Sequence, residues 1–230
     1  MILISAYNET MLKLSQIIVL SSLCMFASMQ TLAQVDGVEY DWKLKRDRAG
    51  IKVFTSKVPG SAFKATMSVM EVDASPASVA ALIGDLKNCK KWIRSCKKAE
   101  LLHADSPAEK YVYSVTSAPF PLKTRDMVSY VVWKLDAQTG KVSSTGRAMP
   151  GYIDKKRGLV RVTHADTNWH LTPLGDGKTR VENYTHIDPN GPIPAFLVNL
   201  LLVGVPYNAL KGVRNRIKDG AYDDAVLPFN

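Results

Sequence analysis

The sequence is poor in the motifs that define common enzymes and metal proteins. It contains no glycine-rich phosphate loop, no Gly-x-Ser-x-Gly nucleophile elbow, no HExxH motif and no paired CxxC motif. Its four histidines, at positions 103, 164, 170 and 186, share no metal-ligand spacing. His170 and His186 fall on different predicted strands and could be neighbours, but a lone strand histidine is more often structural. We therefore expect no catalytic residue, no metal and no cofactor.

Zinc-finger spacing, an RNA-recognition motif and a helix-turn-helix are also missing, although the chain is basic. The formal net charge is +9 at pH 7, which favours anionic partners. Because no nucleic-acid motif accompanies the charge, we expect no nucleic-acid partner, and anionic lipid is the other interpretation of the charge. Dispersed positive charge also serves solubility alone, and a basic interaction module remains a further alternative.

The N-terminus has the pattern of a secretory signal over residues 1–33. Lys13 precedes a short apolar segment, which is followed by small residues at the two positions that signal peptidase reads. We expect cleavage after Ala33, export of the chain, and one domain over residues 34–230. The alternatives are an uncleaved anchor, for which the apolar core is short, and a true start at Met11.

Cysteine is scarce, and cleavage would leave only Cys89 and Cys96, in an oxidising compartment where disulfides persist. On a continuous helix, their spacing would place the two Cα atoms about 10.5 Å apart. A disulfide needs less than about 7 Å between these atoms. We predict that the disulfide forms, which requires the helix to end near Cys89 and the chain to turn back around Trp92. Two buried free thiols are the alternative.

Hydrophobic periodicity predicts one helix between two groups of strands. Ser75-Pro76 is typical of a helix N-terminus, and apolar residues then recur on one helical face at 79, 82, 83 and 86. A period of two predicts strands at 40–45, 51–57, 63–72, 99–103, 110–116, 125–135, 141–147, 158–163, 168–174 and 178–187. Short turn signals at 138–140 and 175–177 indicate antiparallel hairpins.

A nearly uninterrupted apolar run extends from Ile193 to Pro206, with Asn199 as its single strongly polar residue. The run is shorter than the roughly 20 residues that span a bilayer and predicts a helix buried on both sides. One side could face a sheet, while the other faces a bound lipid or ordinary core. Pro206 is expected to kink this helix. Beyond it, one apolar stripe is formed by Leu210, Val213 and Ile217.

This order of strands, helix, antiparallel strands and terminal helix resembles the START domain, the steroidogenic-acute-regulatory-related lipid-transfer family. The matching pieces, found between Tyr40 and Asp219, are Trp42, Gly50–Phe54, Trp92, Pro119–Pro121, Arg125–Asp126, Gly158–Arg161, Trp169 and Asp188–Pro194. The additional N-terminal helix of many eukaryotic members has no counterpart in the pattern. Together with the export signal, this departure suggests a bacterial, periplasmic member.

The resemblance implies an α+β helix-grip fold, in which a curved antiparallel sheet wraps around a long C-terminal helix and an internal hydrophobic tunnel. It further implies a monomer that binds a single lipid or other hydrophobic molecule in this tunnel. Such a protein carries its ligand between membranes or presents it, with the terminal helix as a lid and transient contact with an anionic membrane surface. Because related helix-grip folds include cyclases, an enzyme acting on a hydrophobic substrate is the alternative.

The strand predicted at 125–135 carries the main site hypothesis. Alternation places Arg125, Met127, Ser129 and Val131 on one face and Asp126 on the other. The resemblance implies that the first face lines the tunnel, with the arginine as one of few charges there. A buried arginine is costly unless it pairs with a carboxylate or a lipid head group. A surface arginine at a strand start is the alternative.

Five further residues complete the predicted ligand-binding set. Tyr113 lies on the preceding strand, and Phe120 lies in a loop that the resemblance places beside the tunnel opening. The terminal helix contributes Phe196, Leu200 and Val203, at positions i, i+4 and i+7. The tyrosine could instead pack the sheet, the loop phenylalanine could simply be exposed, and the helix residues could be ordinary core.

Overall fold

A computed structural model describes residues 40–118, 122–191 and 193–229. The predicted signal at 1–33 and the predicted gate residue Phe120 therefore lie outside the described residues. Residues 41–230 form one compact unit. Its strands, β1 to β10 in chain order, are Lys43–Arg48, Ile51–Ser56, Ala65–Val72, Cys96–Ala104, Glu109–Thr116, Arg125–Leu135, Val142–Ala148, Val160–Arg161, His164–Gly175 and Lys178–Asp188.

The ten strands form one sheet in the order β1-β2-β3-β10-β9-β7-β6-β5-β4. Every neighbouring pair along this path is antiparallel, so the predicted antiparallel sheet is confirmed. The exception is β8, which pairs in parallel with β6 and lies off the path. The strand predicted at 158–163 is thus reduced to two residues. The segment that precedes β8 forms a turn, and three backbone carbonyls of this segment accept hydrogen bonds from Arg161.

Helix α1 spans Pro76–Gly84 and is followed by a 3₁₀ helix at Leu86–Lys91. The predicted N-cap is present, because the Ser75 hydroxyl accepts a hydrogen bond from the Ser78 backbone N–H at 3.1 Å. The chain then turns into β4. This turn brings the Cα atoms of Cys89 and Cys96 to 6.1 Å, and the two residues form the predicted disulfide.

The terminal helix is divided into α2, Ala195–Leu201, and α3, Gly204–Ile217. We expected Pro206 to kink one continuous helix, and the interruption instead lies at Leu202 and Val203. The physical reason is that proline is tolerated in the first turn of a helix, where its missing N–H would have no intrahelical partner. The proline therefore stands in the first turn of a second helix.

The main core lies between α3, α1 and the sheet at β2 and β3. The stripe predicted on the second half of the terminal helix is confirmed, because Leu210 and Val213 are fully buried and Ile217 is nearly so. Gly212 lies on the same helix and brings its backbone against the carbonyl of Trp92. Helix α3 thus fills one half of the inner face of the sheet, and the other half borders a hollow.

Candidate ligand-binding cavity

A cavity with a volume of about 300 Å³ lies between the sheet and the segment formed by α1 and the 3₁₀ helix. Its helical wall includes Ile83, Leu86, Trp92 and Ile93. Its sheet wall is built from alternate residues of neighbouring strands, because side chains two apart on a strand share one face. On β5 and β6 these residues are Lys110, Val112, Ser114, Thr116, Met127, Ser129, Val131 and Trp133. The alternation predicted for β6 is therefore confirmed.

A smaller cavity of about 210 Å³ lies beside the first and reaches the terminal helix. The two cavities share Ser114, Thr116 and Met127 as wall residues. The smaller one is closed by the end of β10 and by α2, through Ile187, Pro189, Ile193, Val198 and Leu201. We refer to these two adjacent cavities together as the hollow, which extends along β5 and β6 towards α2.

The hollow is apolar apart from hydroxyl groups and very few charges. Among the described residues that line it, the ionisable ones outside the disulfide are Lys110, Arg125 and Asp126. The carboxylate of Asp126 is directed away from the hollow, since it bonds to groups on the other face of the sheet. A histidine or glutamate suited to acid–base catalysis is not found among these described lining residues. The chemistry of the hollow therefore suits binding of an apolar molecule.

Arg125 is a buried charge beside the hollow, and it has no ionic partner among the described residues. Its side chain is only 8% exposed and borders the smaller cavity. One guanidinium nitrogen donates to the Lys123 carbonyl, while Nε is buried without a hydrogen-bond partner among the described residues. Burial lowers the pKa of this arginine. The predicted inward position is thus observed, and an anionic or polar ligand group could satisfy the unused donor.

On the outer face of β6, Asp126 forms a buried ion pair with Arg161 of β8. The Nη2 to Oδ2 distance is 2.9 Å, the Nε to Oδ1 distance is 3.1 Å, and both side chains are 1% exposed. Hydrogen bonding to the carboxylate raises the pKa of the arginine. Both residues lie in motifs that carried the family resemblance, but sequence analysis did not pair them. Alternation indicated only that the aspartate faces away from Arg125.

Tyr113 does not line the hollow, contrary to the sequence-based expectation. On β5 the wall is formed by even-numbered residues from 110 to 116, so this odd-numbered tyrosine lies on the opposite face. Its hydroxyl donates to Asp126 Oδ2 at 3.2 Å. Burial, with a smaller contribution from the neighbouring carboxylate, raises the pKa of the tyrosine to about 12. Tyr113 therefore stabilises the outer ion pair.

The three predicted helix residues are also not at the cavity wall. Phe196 is 65% exposed and Leu200 is 71% exposed, while Val203 packs against the main core. The residues of α2 that do reach the smaller cavity are Val198 and Leu201. The apolar run is hydrophobic all round, so its periodicity could not indicate which side faces inward.

Phe120, the predicted gate residue, lies outside the described residues. Its flanking residues Ala118 and Leu122 are described, and both border the smaller cavity. The described residues on either side of the phenylalanine therefore lie at the wall of the hollow, near α2. A gating role for the phenylalanine stays a prediction.

Comparison with known proteins adds an independent observation. The family model described as START domain matches residues 25–219. An uncharacterized protein of Pseudomonas aeruginosa is 38% identical over 175 residues, covering 76% of this chain and 86% of that protein. Human phosphatidylcholine transfer protein is 28% identical over 188 residues, covering 79% and 82% of the two chains.

A solved structure is also similar to this chain. The crystal structure of a STAR-related lipid transfer protein, fragment 25–204, from Xanthomonas axonopodis superposes with a TM-score of 0.72. The two chains are 30% identical, and the superposition covers 77% of this chain and 98% of the other. The large antiparallel sheet and the C-terminal helix are common to both.

Proposed function

The chain belongs to the START domain family, and from this premise we propose that it binds a single lipid in the hollow and carries it between membranes. The observation that carries the proposal is an apolar hollow with one buried, unpaired arginine at its α2 end. Apolar walls suit acyl chains, and Arg125 suits a polar or anionic head group. Homologues are lipid-transfer proteins, which supports lipid binding over catalysis.

Transfer has to occur at a membrane. Each buried CH₂ group is worth about 0.8 kcal/mol, so a chain of about 16 carbons costs on the order of 12 kcal/mol to bring into water. Release into solution would therefore be very slow. A lipid that moves directly between the hollow and a bilayer stays in apolar surroundings throughout.

We propose that α2 is the surface that meets the membrane. It exposes Phe196 and Leu200, and the next helix begins with the exposed Val205. The basic residue Lys64 lies nearby, because its backbone N–H donates a hydrogen bond to Asn199 Oδ1 of α2 at 3.3 Å. Each such charge near an anionic surface contributes about 1 kcal/mol. The 23 residues Ala195–Ile217 are long and apolar enough to cross a bilayer, but buried α3 residues tie this segment to the core.

The same helix is the proposed lid. None of the seven residues of α2, all of which are described, is buried, and its N-cap makes no side-chain hydrogen bond. The interruption at Leu202 and Val203 separates α2 from the anchored α3. The two cavities have volumes of about 300 and 210 Å³, at or below the lower end of small-molecule sites, and α2 closes the smaller one. A long lipid therefore requires α2 to move outward around this interruption.

Export to a periplasm remains our proposal for the location of the protein. The Cys89–Cys96 disulfide supports it, because structural disulfides are rare in reducing compartments. The pattern at residues 1–33 supports it independently.

Filling the hollow should abolish lipid binding. Ser129 lies on the sheet wall of the larger cavity, so Ser129→Trp places an indole where acyl chains would lie. We expect at least a tenfold loss of co-purified lipid by native mass spectrometry and of transfer between vesicles of phosphatidylcholine and phosphatidylglycerol.

The matched control is Lys134→Trp, which adds the same side chain to an exposed site on the other face of β6. It should keep one lipid per chain. A cooperative melt of Ser129→Trp will show that the fold is intact. Equal lipid occupancy in both variants, or no bound lipid and no transfer by the wild type, would refute the proposed function.

Replacing the unpaired arginine should separate head-group recognition from folding. Arg125→Met keeps an apolar stem and removes a buried donor that lacks a partner, so we expect stability to be unchanged or to rise by about 1 kcal/mol. Affinity for lipid should fall about tenfold or more, because the head group loses a charge-assisted hydrogen bond.

The measurements are urea denaturation and a vesicle-transfer assay. Lys123→Met removes an exposed cation from the segment just before β6. It should change neither the free energy of unfolding nor the affinity for lipid strongly. Unchanged lipid affinity in Arg125→Met, with reduced stability, would mean that this arginine is structural.

A further inference from the structure

Two histidines and one aspartate lie together on the outer face of the sheet. His164, Asp166 and His186 have potential ligand atoms that all lie within 4.8 Å of one another. The His164 Nε2 atom is 3.3 Å from Asp166 Oδ2, and the two imidazole rings are 5.2 Å apart between centroids. Sequence spacing could not indicate this cluster, because its members come from two different strands.

The register of β9 and β10 explains the cluster. Asp166 is directly opposite His186 in the antiparallel pair, and His164 lies two residues before the aspartate on the same face. The chain neighbours Ala165 and Ile187 line the cavities. The cluster therefore lies on the face of the sheet opposite the lipid hollow. His170, by contrast, pairs with Glu182, so it is not a neighbour of His186 as the sequence had suggested.

We propose that His164, Asp166 and His186 form a binding site for a divalent transition-metal ion, with zinc as the best match. Two imidazoles and a carboxylate are a common zinc donor set, and water can complete a tetrahedral site. Zinc bonds of about 2.0–2.2 Å place ligand atoms about 3.4 Å apart in such a site. The 3.3 Å distance between His164 Nε2 and Asp166 Oδ2 already matches this value, and a ligand atom of His186 lies within 4.8 Å of both.

The surroundings orient the proposed ligands. Arg147 Nε lies 3.8 Å from Asp166 Oδ1, which leaves the other carboxylate oxygen directed at His164. The His186 ring forms a hydrogen bond with the Phe63 backbone. Its Nε2 atom lies 3.0 Å from the Ser61 hydroxyl oxygen, and an ion bound at Nε2 would replace this contact. Outer contacts of this kind fix imidazole and carboxylate orientation in metal sites.

Negative charge beside the rings also favours a cation. The carboxylates of Asp166 and Asp188 both lie close enough to His186 to act on it electrostatically. His164 and Asp166 are 55% and 36% exposed, so an ion can enter from solvent.

Calorimetric titration with ZnCl₂ tests the site on the full chain, purified without a polyhistidine tag and treated with chelator. We expect one zinc per chain, and at least a tenfold weaker affinity in His164→Ala, His186→Ala and Asp166→Asn. Cobalt(II) should give the absorption bands of a four-coordinate site in the wild type alone. Asp166→Asn changes no side-chain volume, so it tests coordination even where a histidine variant folds poorly.

His103→Ala is the matched control. His103 Nε2 lies 3.0 Å from Asp105 Oδ1 on the surface, but no third ligand joins this pair among the described residues. The His103→Ala variant should bind zinc with the affinity of the wild type. Absence of saturable one-to-one binding, or equal affinity in the wild type and all three site variants, would overturn the site. Lipid occupancy should be unchanged in His164→Ala, which keeps this result separate from the proposed function.

Discussion

Asp126→Asn should lower the free energy of unfolding by about 3–5 kcal/mol, because it leaves a buried guanidinium without its counter-ion. Asp126 and Arg161 are each 1% exposed, and the carboxylate accepts from two nitrogens of the arginine and from Tyr113. The amide of asparagine carries no charge and can accept at only one atom. The remaining acceptors of Arg161 are the carbonyls of Pro150, Ile153 and Asp154, which cannot neutralise the charge.

Urea denaturation at neutral pH measures this loss, and an exposed ion pair supplies its control. Lys98 Nζ lies 2.7 Å from Glu100, with side chains 54% and 37% exposed. Glu100→Gln should cost less than about 1 kcal/mol, since solvent screens such pairs. Comparable losses in the two variants would contradict the importance of burial. Adding Arg161→Met to Asp126→Asn should recover part of the stability, because it removes the unpaired charge.

Gly212→Ala should be the second severe change, with a loss of about 3 kcal/mol. In a solvent-exposed helix the same substitution normally stabilises by up to about 1 kcal/mol. Here a Cβ atom would lie 2.0 Å from the Trp92 carbonyl oxygen and 2.8 Å from its carbonyl carbon. Backbone atoms cannot rotate away as a flexible side chain can. Either α3 or the turn at Trp92 must therefore shift, and both belong to the core.

Gly204→Ala is the control within the same helix. A Cβ at Gly204 would meet no described atom within 4 Å, so alanine should be neutral or slightly stabilising. Thermal and urea unfolding of the two variants will separate the helix propensity of alanine from the steric effect. Unchanged stability in Gly212→Ala would mean that α3 is free to move away from Trp92.

These predictions differ in how far sequence could have anticipated them. The alternation along β6 predicted both the inward Met127, Ser129 and Val131 and the outward Asp126. It could do so because a strand has a strict period of two, and because the family resemblance assigned the face of Arg125 to the tunnel. The partner of Asp126 was not predictable, because Arg161 lies 35 residues later on a strand of only two residues.

The wrong assignments share a physical cause. Tyr113 and the predicted stripe of Phe196 and Leu200 were consistent with local periodicity, but periodicity defines faces without saying which face is inside. Along β5 both faces carry bulky residues, and α2 is apolar all round. Only the packing of neighbouring strands and of α3 decides which face is inside.

Sequence alone predicted the antiparallel sheet, the α1 cap and the alternation along β6, since these depend on local propensity and short periods. The order and spacing of its motifs indicated the family. Tertiary structure decided the division of the terminal helix, the Asp126–Arg161 pair and the meeting of His164, Asp166 and His186. The ion pair joins residues of β6 and β8 that are 35 positions apart in the sequence. The histidine cluster depends on the register of the β9–β10 hairpin, which an irregularity between Lys178 and Thr179 shifts by one residue, so that Asp166 lies opposite His186. The turn residues alone do not indicate that shift, because a bulge depends on how the strands pack in the sheet.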